Sequence, residues 1–140
     1  MADPPTPSIS GPERIAADGV SLSVHEWRGS GPPWLHVHHA DDEAWHVLEG
    51  TLTFRFADNW EPRAVDDRRQ RTGNVRTVEA AAGSTVFVPA GAAHTYAASG
   101  DARYLVILTP RLRALIAELQ SSPPAEHAGI MRRHDSEILE

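Results

Sequence analysis

The chain has 140 residues, 41% hydrophobic and 23% charged, which suits one globular domain with a real core and excludes a disordered or fibrous chain. A formal charge of −6 argues against nucleic acid or an anionic membrane as partner; no apolar run approaches the roughly 18 residues of a membrane span, and Met1 to Pro12 lack a secretion signal's apolar stretch, so the expected location is the cytoplasm. There is no Cys, and all 13 basic residues are Arg, which removes thiol nucleophiles, thiolate metal sites, disulfides and lysine Schiff bases and leaves carboxylate, imidazole, hydroxyl and metal chemistry.

Taken in chain order, residues 1–13 read as a flexible Pro-rich tail, residues 14–109 as a β domain and residues 110–140 as a helical segment. From Val20 to Trp27, apolar residues at 20, 22 and 24 alternate with polar ones, the pattern of a half-buried strand. A turn at Gly29 to Pro33 follows, then a strand over 34–38 and two more within 43–57, broken at Glu49-Gly50. Residues 58–74, with Asp66, Asp67, Arg68, Arg69 and Arg71, read as a solvated loop and not as an anion site. Strand patterns return at 75–79, 84–88, 94–98 and 103–109, so many short strands punctuated by Gly and Pro predict an all-β sandwich or barrel. Thr109-Pro110 has the form of a helix N-cap and first helical residue, and Leu112, Leu115, Ile116 and Leu119 share one helical face. Beyond the break at 121–124, Ile130, His134 and Ile138 suggest a second, weaker amphipathic turn or two.

Two clusters carry chemistry. In a strand, side chains two apart point the same way, so His36 and His38 project together while Val37 and His39 face the other side. The connection 39–42 lets Glu43 open the next strand at the same point. In the second cluster a short apolar strand ends at Pro89, Gly91 closes a turn, and His94 begins a new strand. Three imidazoles and one carboxylate suit Fe, Ni, Mn, Co, Cu or Zn better than Ca or Mg, which favour more oxygen.

These clusters resemble the two motifs of the cupin superfamily. His36, His38, Glu43 and Gly50 match the first, and Gly83, Pro89, Gly91 and His94 the second. The Gly that leads the first motif stands one residue closer than usual, at Gly31, and Ala98 replaces the Asn that usually ends the second. The run from Asp42 to Gly50 is similar to that of small bacterial quercetin-dioxygenase-like cupins. The resemblance implies a double-stranded β-helix (jelly-roll) barrel with a C-terminal helix, a homodimer, and one divalent metal ion held by His36, His38, Glu43 and His94. It further implies an enzyme acting on a small oxygenated, enolisable or aromatic compound, with dioxygenase chemistry first and Glu43 as general base. A redox-silent isomerase, cyclase or decarboxylase and a non-catalytic small-molecule binder are the alternatives.

Trp45 and Tyr96 each stand two residues from a proposed ligand and are expected to face the same cavity as substrate contacts. Trp34, Phe54 and Phe87 are expected in the core or the pocket. His39 and His46 have the opposite strand parity from the ligands, and His25, His127 and His134 lack a partner pattern, so all five are expected to face solvent.

Overall fold

The structure, a computed structural model, describes residues 5–58 and 74–139. The loop read at 58–74, with its Arg and Asp cluster, falls almost wholly outside the described residues, as do positions 1–4 of the tail. Residues 5–13 are exposed and form no regular element.

Among the described residues, ten strands and two α-helices follow in chain order: β1 (Ala16–Asp18), β2 (Ser23–Trp27), β3 (His36–His38), β4 (Glu43–Glu49), β5 (Thr51–Asp58), β6 (Asn74–Ala81), β7 (Thr85–Val88), β8 (Ala93–Ala98), β9 (Arg103–Leu108), α1 (Pro110–Gln120), α2 (His127–Arg133) and β10 (Ser136–Ile138). They build two five-stranded antiparallel sheets, in the orders β1-β2-β9-β4-β7 and β10-β3-β8-β5-β6. The result is an all-β jelly-roll barrel closed by C-terminal helices.

Alternation explains which face each strand turns inward. In β9, Tyr104, Val106 and Leu108 are buried, and in β4 the buried set is Glu43, Trp45 and Val47. Glu43 therefore sits on the core face of its strand, where a carboxylate is costly unless partnered. Between β4 and β5 the chain reverses at Gly50 with φ of 73°, a left-handed conformation that suits glycine. A Cβ at Gly50 would also lie 2.7 Å from Ala102 Cα.

Three local expectations change. Val20 and Leu22 are exposed in the connection from β1 to β2 instead of packing inward, because the chain turns there, with Gly19 N–H donating to Leu22 O. The amphipathic turns expected through Ile138 form a helix that stops at Arg133, and residues 136–138 become a strand pairing with β3. Asp135, with φ of 53°, makes the bend between them. Phe87 is 62% exposed, since it stands on the outward parity of β7, an edge strand of the first sheet. No helix among the described residues is long and apolar enough to cross a membrane.

Candidate metal centre

His36 and His38 project from β3 on one face, with ring centroids 4.9 Å apart. In the β3–β8 ladder His36 stands directly opposite His94, which brings those rings to 4.4 Å. Glu43 reaches the same point from the facing sheet, at the start of β4. One donor atom from each of the four residues lies within 4.8 Å of every other, and all four residues are buried.

The outer hydrogen bonds fix which imidazole nitrogen faces inward. Carbonyl oxygens can only accept, so His36 Nδ1–H donates to Trp34 O (3.2 Å) and His94 Nδ1–H to Ala92 O (2.9 Å). Ser136 Oγ–H donates to His134 O, leaving Ser136 Oγ to accept from His38 Nδ1–H at 2.7 Å. In all three rings the Nε2 lone pair is thereby turned toward Glu43, whose Oε1 lies 3.2 Å from His94 Nε2 and 3.4 Å from His38 Nε2. Four acceptors converging in a buried space repel one another unless a cation lies between them. Neutral imidazoles with an orienting bond on the outer nitrogen are the form in which histidine binds metal. The four residues thus fit one transition metal ion of borderline character, by the chemistry of the donor set.

Electrostatics follow from the same geometry. Without an ion between them, a proton on Nε2 of His38 and His94 takes its place: burial pushes the Glu43 carboxyl upward, but the hydrogen bonds and charges of the two rings so protonated outweigh it and hold the group down to about 2. Burial, reinforced by repulsion from His94 and His38, pushes the His36 imidazole well below its usual 6.5.

The group opens onto a cavity of about 460 Å³. Trp45 and Tyr96 both line it, as their spacing from Glu43 and His94 predicts. Trp34 also lines it, whereas Phe54 is fully buried in the core. His39 and His46 stay outside the cluster: His39 is exposed beside Glu137, and His46 bonds Thr85 Oγ1 at 2.7 Å. His25 and His134 are not free in solvent but donate to Asp18 and Glu118, at 2.8 and 2.9 Å. The expectation for His127 needs correction. It lies on the cavity wall, half-buried, where its Nε2–H is shared between Leu119 O and Ser122 O at the end of α1.

Sequence reasoning missed Ser136, Trp27 and the wall that α1 and α2 supply through Leu115, Ile116 and Met131. The apolar face of α1 was a usable signal for that wall. Nothing local marks Ser136, which meets His38 across 98 positions of chain.

No protein-family model matches the chain, and no curated protein matches its sequence. Solved structures do resemble it. BH2720 from Bacillus halodurans superposes with a TM-score of 0.52 at 20% identity, over 76% of this chain and 83% of that one. KdgF from Halomonas gives a TM-score of 0.46 at 18% identity, covering 69% and 76% of the two chains. A cupin-2 domain containing protein from Shewanella frigidimarina gives 0.43 at 19%, covering 71% and 82%. At such identities the likeness is one of fold: a jelly-roll barrel of two antiparallel five-stranded sheets with C-terminal helices.

Proposed function

We propose that the chain is a metal-dependent enzyme of the cupin superfamily acting on a small oxygenated, enolisable or aromatic compound. The observation that carries this reading is the convergence of three Nε2 lone pairs and one carboxylate at the wall of a largely apolar cavity. His36, His38, Glu43 and His94 would hold the ion. When bound, such an ion supplies Lewis-acid polarisation of a ligand oxygen and, if redox-active, electron transfer with dioxygen.

The chain's own residues supply the rest. Trp45, Tyr96 and Trp34 offer flat contact surfaces, and α1 and α2 add an apolar wall through Leu115, Ile116 and Met131. Glu43 Oε1 is the candidate acceptor for the proton that an enolisable compound loses. Dioxygenase chemistry is the first version of the reading, and redox-silent isomerisation, cyclisation or decarboxylation the second. A homodimer and a cytoplasmic location belong to the same reading, and sedimentation analysis tests the first of these.

Elemental analysis of protein purified without added metal is expected to find about one transition metal ion per chain; none, even after reconstitution, would sink the reading. Dioxygen consumption with 1,3-diketone and polyphenol substrates selects the oxidative version, and turnover without dioxygen consumption, retained under anaerobic conditions, selects the other. Glu43→Gln is expected to abolish turnover. Metal content of the same preparation separates loss of the ion from loss of the base, and a pure binder would keep its ligand affinity.

A further inference from the structure

Of the residues that connect β3 to β4, positions 39–42, only Asp41 is buried. Its Oδ1 accepts from Thr109 Oγ1–H at 2.9 Å, while Oδ2 is closed off from solvent, has no hydrogen-bond partner among the described residues and lies 3.6 Å from Arg111 Nε. A carboxylate so placed loses hydration that one hydrogen bond does not restore, and packing alone would favour an apolar residue there. The start of α1 compensates the charge. The first turn of that helix carries Arg111 and no acidic residue, although a helix N-terminus favours negative charge over positive. Asp41 supplies that negative charge from outside the helix.

The place of this contact relates it to the metal centre. Asp41 stands two residues before Glu43, and Thr109 one residue after Leu108, which faces Glu43 in the β4–β9 ladder. The ladder begins at Glu43, and the Asp41–Thr109 bond extends its hold to the chain ahead of that residue. The same connection is tied to the elements that carry or orient the other donors. His39 N–H donates to Asp135 O at the bend before β10. Gly91 N–H donates to His38 O and Ala90 N–H to Asp42 Oδ1, both from the turn that leads to His94. Arg111 joins the two sides, since its guanidinium also reaches Asp135 at 2.8 Å, next to the Ser136 that accepts from His38 Nδ1–H. The acid and its arginine thus connect the loop that delivers Glu43 with the strand that orients His38.

We propose that Asp41 is a positioning residue for the metal centre: through Thr109 and Arg111 it locks the β3–β4 connection against the start of α1 and so fixes where Glu43 meets the three imidazoles. This inference rests on the metal-centred reading above, in which Glu43 is a ligand. The two oxygens of Asp41 have separable parts. Oδ1 sets the course of the chain through Thr109, and Oδ2 carries the charge that Arg111 and the helix start stabilise.

The test uses the full-length protein loaded with cobalt(II), whose visible absorption reports ligand geometry and whose affinity is read by competition with a chelator. Asp41→Ala is expected to bind cobalt about tenfold more weakly than the wild type, at unchanged saturating stoichiometry and with an altered absorption spectrum. Asp41→Asn keeps an oxygen for Thr109 and is expected to restore the wild-type affinity and spectrum, although the lost charge lowers its urea midpoint. Thr109→Val breaks the same bond from the other side and should weaken cobalt binding as Asp41→Ala does, with no further loss in the double variant. In the wild type, zinc is expected to slow hydrogen exchange at the Leu112 amide, which donates to Thr109 Oγ1, and this measurement decides alone should neither variant fold. Unchanged cobalt affinity and spectrum in Asp41→Ala or Thr109→Val, a Leu112 amide indifferent to zinc, or an Asp41→Asn as weak as Asp41→Ala overturns this inference and leaves the metal-centred reading standing. A wild-type protein that binds neither ion overturns both.

Discussion

Ser136 donates no atom to the His–Glu group, yet it decides which nitrogen His38 offers there. Its hydroxyl is held by His134 O and accepts His38 Nδ1–H, so the ring cannot exchange its two nitrogens without losing a bond. Ser136→Ala is expected to weaken metal binding by roughly 10–100-fold while leaving the saturating stoichiometry unchanged, as read by competition with a chelator of known affinity. An unchanged affinity would mean that strand packing alone orients the ring. His36 makes the metal-free protein sensitive to acid. Its folded value lies well below the 6.5 of an ordinary imidazole, so on acidification the unfolded chain takes up the proton first. Stability therefore falls as pH drops from about 6.5 toward the folded value. Glu43, held down to about 2, adds a further loss as pH falls from 4.5 toward that value. Urea midpoints of the metal-free protein between about pH 7 and 5 are expected to decline, with a shallower decline in His36→Gln.

Strands supplied most of what could be read from the sequence. The spacing of His36 and His38, and of Glu43 with Trp45, needs only the two-residue repeat of a strand to place each pair on one face. Thr109 caps α1 as its position before Pro110 predicts, accepting from Leu112 N–H at 3.1 Å and donating to Asp41 in the loop that precedes Glu43. What escaped the pattern was pairing between distant segments. β10 has three residues and no alternation of its own to declare a strand, so only its ladder with β3 shows that it completes the sheet behind His38. Phe87 failed for a related reason: an apolar run such as Thr85–Val88 does not say which parity faces the core. Turns are more legible because glycine reports backbone need. Gly50→Ala combines a positive φ with a contact of 2.7 Å to backbone that cannot yield. Denaturant unfolding is expected to show a loss above about 1 kcal/mol, with metal stoichiometry retained in the folded fraction.

At the scale of the molecule, the helical segment and the barrel share one core. Leu112, Leu115, Ile130 and Met131 fall in the same buried cluster as Trp45, Val47, Tyr96 and Tyr104, so the division drawn near residue 109 in the sequence marks a change of secondary structure within one packed unit. The cavity depends on that union, because its walls come from both parts. Leu115 is the sharpest probe: it is fully buried in the shared cluster, and it also lines the cavity. Removing its side chain beyond Cβ should cost about 2–5 kcal/mol, the range for large-to-small changes in a core. If helix and barrel unfold together, tryptophan fluorescence from the barrel and helical circular dichroism must shift by the same amount in Leu115→Ala and remain superimposable. A helical signal melting ahead of the fluorescence would show instead that the C-terminal segment is an independently opening wall. Access to the His–Glu group would then be governed by that opening, and ligand binding would become limited by a conformational step that the shared core forbids.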